Sequence, residues 1–151
     1  MELRAAVLHY CKYQERCHSE VRSKLYDLGF NSEEVEQQLS ALIETGVINE
    51  ERYAKAFAGG KFRMKQWGRE KIKQQLKIKR ISDYCIKKAL TEIDADEYDN
   101  TLAKLAAKKY AEVKKDRSLL SRKSKMYRHL VQKGYERDMV MNVINECMNT
   151  K

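Results

Sequence analysis

The chain contains 151 residues with a formal net charge of +9, and 35% of its residues are charged. Its apolar content of 42% is enough for a modest core without metal or disulfide staples, and no apolar stretch is long enough to cross a membrane. Because the chain has no proline and only six glycines, its composition disfavours a turn-rich β-sandwich and favours long helices.

The first predicted helix covers roughly residues 2–14, and a pair of helices follows it. Ser19 is the predicted cap of the first helix in this pair, and Asn31 with Glu34 forms a capping box for the second. Gly29 lies between the two helices, where a helix ends in a left-handed residue that glycine tolerates. The segment therefore predicts three helices, of which the last two are joined by a tight turn.

A second group of three helices begins with a predicted helix over roughly residues 49–65. Ser82 precedes the last helix of this group and can cap it. Arg80 occupies the turn position that glycine holds in the first group. A left-handed residue other than glycine costs about 1 kcal/mol, so we expect this turn to be either strained or differently shaped.

The third group begins with a predicted helix over roughly residues 97–115, which Asp94 and Glu97 can cap. Gly134 again marks the turn of the helix pair that follows.

The three helix pairs share one apolar pattern, in which buried positions are separated by steps of 4, 5, 5 and 4 residues. The pattern recurs after 51 and then 54 residues, which indicates an internal triplication. Its members are Val21, Leu25, Phe30, Val35 and Leu39; Ile72, Leu76, Ile81, Ile86 and Leu90; and Met126, Leu130, Tyr135, Val140 and Ile144.

The predicted fold is all-α: an elongated, right- or left-curved stack of three tandem three-helix repeats that behaves as one continuous domain. We place the repeats at residues 1–48, 49–93 and 94–151.

Charge is distributed unevenly among these repeats. Residues 1–60 carry a net charge of −3 and residues 81–100 carry −4, whereas residues 61–80 and residues 101–151 each carry +8. A solvated helix face usually alternates charges, yet residues 61–80 contain nine cations and the single acid Glu70. This excess indicates a polyanionic partner, either a nucleic acid or an acidic protein surface that itself carries nucleic acid.

The candidate contact residues are the cations of these two positive segments. The first set consists of Lys61, Arg63, Lys65, Arg69, Lys73, Lys77, Lys79 and Arg80. The second set consists of Arg122, Lys123, Lys125 and Arg128. Trp67 could stack on a base, but the interpretation we favour is that it supports the start of a helix. We likewise favour a core position for Tyr53 and Phe57, which are four residues apart.

Five segments of the chain together resemble the RecX family of regulators of the RecA recombinase. NEERYAKAF at 49–57, KFRMKQWGREKIKQQL and KRISDYCIKKAL resemble the central signature, while HSEVRSKLYDLGF and SKMYRHLVQKGYERDMVMNVI resemble the first and third repeats. The signature residues are Arg52, Tyr53, Ala54, Phe57, Gly68, Ile72, Leu76, Ile81, Ala89 and Leu90. Arg80 departs from the glycine that family members usually carry at this turn.

The resemblance implies a regulator without enzymatic activity that binds the RecA–DNA filament. Family members lie in the groove of the filament, bridge RecA protomers, and suppress ATP hydrolysis and strand exchange or promote filament loss in DNA repair, recombination and the SOS response. The implied partners are RecA and, through the positive surface, single- or double-stranded DNA. A monomer without a cofactor or metal is expected.

Other classes of function have weaker support in the sequence. No P-loop, HExxH, GxSxG or dinucleotide-binding turn occurs, and no catalytic residue is predicted. The four residues His9, Cys11, Cys17 and His18 match no common zinc spacing. The open alternatives are a helical DNA-binding protein and a scaffold for an acidic protein unrelated to RecA.

The cysteines and the first residues of the chain bear on its compartment. Four cysteines without a CxxC pair indicate reduced thiols, and MELRAAVLHYCKYQ lacks the long apolar stretch of a signal peptide. A cytoplasmic location is expected.

Overall fold

A computed structural model describes residues 2–149, and of Glu2 and Leu3 it describes only the backbone. These residues form nine α-helices without a β-strand, which confirms the all-α prediction. The helices are α1 (Glu2–Tyr13), α2 (His18–Asp27), α3 (Ser32–Glu44), α4 (Glu50–Lys65), α5 (Arg69–Ile78), α6 (Asp83–Thr91), α7 (Ala95–Val113), α8 (Leu119–Lys133) and α9 (Arg137–Asn149). Within this described part, no helix combines the length and the apolar composition that a membrane crossing requires.

The repeated apolar pattern forms the core, as the sequence predicted. Every member of the three stripes is buried except Phe30 and Leu90, which are half-buried. Steps of four place neighbouring members on one helix face, and each step of five spans a turn between helices. The nine helices follow the chain order of the predicted triplets, which would be α1–α3, α4–α6 and α7–α9. The exact repeat boundaries stay a prediction.

The three turns inside the helix pairs have the same hydrogen-bonding pattern. After α2, the amide of Gly29 donates to the oxygen of Tyr26 and the amide of Phe30 donates to that of Leu25. This pair of hydrogen bonds defines a Schellman turn. The turns after α5 and α8 repeat both hydrogen bonds at the corresponding residues.

Arg80 therefore keeps the shape of the turn and adopts the left-handed conformation itself. Its φ of +63° corresponds to +100° at Gly29 and +104° at Gly134. The sequence predicted that this turn would be either strained or differently shaped. Because its shape is unchanged, the left-handed conformation of Arg80 is the strained alternative.

The helix caps agree with the sequence at three of four predicted positions. The amides of Glu34, Cys85 and Glu97 donate to the side chains of Asn31, Ser82 and Asp94, respectively. The prediction for Ser19 is wrong, because α2 begins at His18 and its N-cap is Cys17, two residues before Ser19. Glu20 accepts the amide hydrogen of Cys17, and the hydroxyl of Ser19 donates instead to the oxygen of Lys79 at 2.9 Å.

The chain folds into two compact units. The first consists of Met1–Ala58 and Gln75–Leu90 and the second of Gly59–Gln74 and Thr91–Lys151. The apolar core of the first unit includes Val7, Val21, Leu25, Val35, Leu39 and Ile48. In the second unit α7, α8 and α9 pack against one another, and their buried residues include Tyr98, Leu102, Met126, Leu130 and Ile144.

Candidate functional site

The first set of predicted contact residues lies on the second half of α4, on α5 and in the turn after α5. Its side chains are divided equally between exposed and half-buried positions. The exposed members are Arg63, Lys65, Lys77 and Arg80, and the half-buried members are Lys61, Arg69, Lys73 and Lys79.

Two members of this set make ion pairs within their own units. Arg69 Nη1 lies 2.8 Å from Glu136 Oε2 in the second unit, and Lys79 Nζ lies 3.1 Å from Glu20 Oε2 in the first. Each of these four side chains is less than one-third exposed, so solvent screens the pairs less than it screens a surface pair. These two cations therefore hold the fold together, and the exposed members of the set are better placed to meet a partner.

The second set of predicted contact residues lies on α8, which has five cations and no acid. Lys125 and Arg128 are exposed, whereas Arg122 and Lys123 are half-buried. Lys125 Nζ lies 2.6 Å from Asp116 Oδ2, and this contact lowers the pKa of Asp116. Apart from that pairing, α8 presents a positive surface that suits an anionic partner.

Trp67 lies in the loop between α4 and α5 and is half-buried. The ammonium groups of Lys61 and Lys71 lie 5.1 and 4.6 Å from the centre of its ring. Both distances are in the range of a cation–π interaction. The indole and the two lysines thus form one mixed aromatic and cationic patch at the start of α5.

The α4–α5 loop is fixed to the α8–α9 turn by backbone hydrogen bonds. The amide of Gly68 donates to Lys133 O and the amide of Glu70 donates to Gly134 O, each at 2.8 Å. A Cβ on Gly68 would lie 2.3 Å from the carbonyl carbon of Gly134. Only glycine permits this approach, so Gly68, one of the predicted signature residues, has a structural role here. We call this contact the glycine junction.

A half-buried polar cluster lies beside the glycine junction. The backbone amide of Arg69 donates to Tyr98 Oη at 2.9 Å, and the hydroxyl of Tyr98 donates to Glu136. The guanidinium of Arg69 also covers the ring of Tyr98, 3.8 Å from its centre. Burial, followed by the hydrogen bond to Glu136, raises the pKa of Tyr98, so its hydroxyl stays protonated and able to donate.

Two signature residues have structural roles in the first unit. Arg52 Nε lies 2.7 Å from Glu15 Oε2, and its guanidinium also donates to the backbone oxygens of Gly46 and Val47. Arg52 thereby fastens the α3–α4 loop to the segment after α1. Tyr53 is buried as predicted, and its ring lies 5.9 Å from that of the half-buried Phe57.

Two of the four cysteines are core residues. Cys11 and Cys17 are buried, and burial raises the pKa of both thiols. A protonated thiol is neither a good nucleophile nor a metal ligand. Among residues 4–149, no group of three His, Cys, Asp or Glu side chains is arranged to hold a metal ion.

His129 is half-buried on α8 and faces charged groups of two helices. Lys108, Lys109 and Glu112 of α7 and Lys133 of α8 all act on it electrostatically. Burial and the neighbouring ammonium groups lower the pKa of His129, because both oppose a positive imidazolium. Its neutral form is therefore favoured in the folded chain.

Several proteins and solved structures that are similar to this chain carry the name RecX. A protein named Regulatory protein RecX from Clostridium perfringens (strain 13 / Type A) is 33% identical over 135 residues, and one from Lactococcus lactis subsp. cremoris (strain SK11) is 34% identical over 134 residues. Each match covers 87% of this chain but 62% and 50% of the respective relative. The chain thus spans between half and two-thirds of the length of these relatives.

A crystal structure of RecX from Lactobacillus salivarius is similar to the whole fold, with a TM-score of 0.87 and 26% identity over 99% of this chain and 96% of that one. A second crystal structure, of regulatory protein RecX, has a TM-score of 0.85 and 26% identity over 96% of this chain and 70% of that chain. The first, second and third three-helix domains of RecX match residues 4–40, 49–90 and 96–144 in order. With three family domains in sequence order over most of its length, the chain belongs to the RecX family of regulatory proteins.

Proposed function

We propose that the chain binds the RecA–DNA filament and inhibits the ATPase, recombinase and strand-exchange activities of RecA. The observation that carries this proposal is the set of three RecX domains, which places the chain in a family of regulatory proteins. In this proposal the chain acts in the cytoplasm by binding and catalyses no reaction. Its packed helices hold the binding surface in place.

The distribution of charge supports a polyanionic partner. Residues 61–80 carry +8, and α8 has five cations without an acid. An acidic protein surface together with DNA phosphate attracts such a surface and compensates its self-repulsion. The exposed cations on α4, on α5, in the turn after α5 and on α8 are the proposed contacts, led by Arg63, Lys65, Lys77, Arg80 and Arg128.

A titration of the DNA-dependent ATPase of RecA tests this proposal. The folded chain, at a substoichiometric or equimolar ratio to a RecA from the same organism, should lower both ATP hydrolysis and strand exchange. An unchanged ATPase at an equimolar ratio would contradict the proposal. The chain would then be a DNA-binding protein or a scaffold for another acidic protein.

Charge reversal locates the contact. Changing Lys73, Lys77 and Arg80 together to glutamate should abolish inhibition without loss of helicity. A matched variant replaces Lys12, Lys87 and Lys104 with glutamate, which changes the net charge by the same amount. These three lysines are exposed and lie outside both predicted sets. Retained inhibition by the first variant, or equal loss in both, would exclude a specific contact through α5 and its turn.

A further inference from the structure

The loop between α7 and α8 and the first turns of α8 present two leucines to solvent. We call residues 114–125 the α7–α8 tip. The side chains of Leu119 and Leu120 in it are 50% and 76% exposed, whereas Leu130 farther along α8 is fully buried. Both precede the core stripe, which begins at Met126, so packing of α8 against its neighbours leaves them uncovered.

The backbone that carries these leucines is held by a local hydrogen-bond network. Arg122 Nε donates to Asp116 O at 2.6 Å, and the carboxylate of Asp116 accepts hydrogen bonds from Ser121 Oγ and Lys125 Nζ. Ser118 caps the helix by accepting the amide of Ser121 at 3.2 Å. The tip is therefore ordered before any partner arrives, and little conformational entropy is lost when it binds.

Cations flank the two leucines in the sequence. Residues 114–125 contain six cations and one acid, and that acid, Asp116, is paired with Lys125. Lys114, Lys115 and Arg117 are exposed in the segment between α7 and α8. A rigid apolar projection with a positive rim fits a shaped apolar pocket with a negative rim.

We propose that Leu119 and Leu120 insert into an apolar pocket on an acidic protein surface. The inference rests on the proposed function, and the pocket then belongs to the protein component of the RecA–DNA filament. A protein pocket is favoured over a single nucleic acid strand, on which bases stack with aromatic side chains rather than leucine. It is favoured over a bilayer because two leucines offer little apolar area and a fluid surface gains nothing from a preordered tip.

The test is a pair of charge-neutral variants of the full chain. The first changes Leu119 and Leu120 to alanine, which preserves helix propensity in the first turn of α8. The matched control changes Ile43 and Met141, which are exposed on α3 and α9, to alanine. Binding is measured to a RecA-coated single strand, to the bare strand and to phosphatidylglycerol vesicles at several salt concentrations, and circular dichroism checks that both variants fold.

The tip variant should bind the coated strand at least about tenfold more weakly than wild type, because the buried leucines are lost. Its affinity for the bare strand and the salt dependence of binding should not change, because no cation is removed. The control should bind like wild type.

Four results would overturn the inference. Wild-type affinity of the tip variant for the coated strand would exclude insertion of the leucines. If the tip variant lost the same amount of affinity for the bare strand, the leucines would be assigned to nucleic acid. If wild type bound vesicles and the tip variant did not, they would be assigned to a membrane. If wild type itself does not bind the coated strand, the proposed function fails and the inference fails with it.

Discussion

Replacing Gly68 with alanine should break the glycine junction of the second unit. A Cβ at this position would lie 2.3 Å from the carbonyl carbon of Gly134, 2.4 Å from its oxygen and 2.5 Å from the nitrogen of Tyr135. All three atoms belong to the backbone, so no side-chain rotation can make room. Because carbon atoms in contact stand about 3.5–4.0 Å apart, the loop and the turn must separate by about 1–2 Å.

The cost of this separation follows from the hydrogen bonds it breaks. The amides of Gly68 and Glu70 each donate across the junction at 2.8 Å. A hydrogen bond contributes about 1 kcal/mol net, and a buried group left without a partner costs about 1–3 kcal/mol. We therefore expect the free energy of unfolding to fall by about 3 kcal/mol, a large fraction of the stability of about 5–15 kcal/mol that is typical of a protein.

Thermal and urea unfolding measured by far-ultraviolet circular dichroism provide the assay. A loss of about 3 kcal/mol corresponds to a decrease in Tm of about 6–12 °C for a chain of this length. Trp67 is the only tryptophan and adjoins Gly68, so its fluorescence reports directly on the junction.

The control is Gly60→Ala within α4, where an added Cβ meets no atom within 4 Å. Alanine at that helical position should stabilise the chain by about 0.5–1 kcal/mol. If Gly68→Ala were as stable as Gly60→Ala, the account of the junction would be wrong.

Three further predictions concern single side chains. Arg80→Gly should raise the free energy of unfolding, measured by urea denaturation, by about 0.5 kcal/mol, because relief of about 1 kcal/mol of left-handed strain is partly offset by the entropy of glycine in the unfolded chain. An equal increase in the free energy of unfolding of Arg80→Ala would refute strain as the cause. Tyr98→Phe should lower the free energy of unfolding by about 2 kcal/mol, because the hydroxyl both accepts a hydrogen bond from the amide of Arg69 and donates one to Glu136. A urea midpoint equal to that of wild type would show that this cluster does not stabilise the fold. Since burial lowers the pKa of His129 in the folded chain, the unfolded chain binds more protons below the usual histidine pKa, and stability should fall as pH decreases from 7.5 through the folded pKa. The urea midpoint of His129→Gln should therefore depend less steeply on pH than that of wild type, and an identical dependence would contradict the assignment.

The elements that the sequence predicted are those governed by local chemistry. Asn31, Ser82 and Asp94 cap the helices that follow them because each bond joins residues three apart. Except at the half-buried Phe30 and Leu90, the stripes of apolar residues predicted burial correctly because a helix face repeats regularly along the chain. Ser19 misled the prediction because Cys17, a poor capping residue by type, is followed by Glu20, whose side chain reaches back to it.

The features that sequence alone did not predict depend on contacts between distant residues. Gly68 and Gly134 meet across 66 positions of the chain, and no local pattern marks them as partners. Arg69 and Lys79 were chosen as contacts from their charge, but Glu136 and Glu20 pair with them only once the chain has folded. The exposure of Leu119 and Leu120 could have been suspected from the sequence, because two adjacent leucines lie ahead of the apolar stripe of α8.

Equilibrium binding of the wild-type chain to a RecA-coated single strand, compared with the same strand without RecA at about 150 mM salt, tests the central claim most directly. Cosedimentation measures both affinities in one experiment. The account predicts that the coated strand binds the chain more tightly, because protein and phosphate contribute together. Equal or weaker binding to the coated strand would contradict it, since the cations would then serve nucleic acid alone.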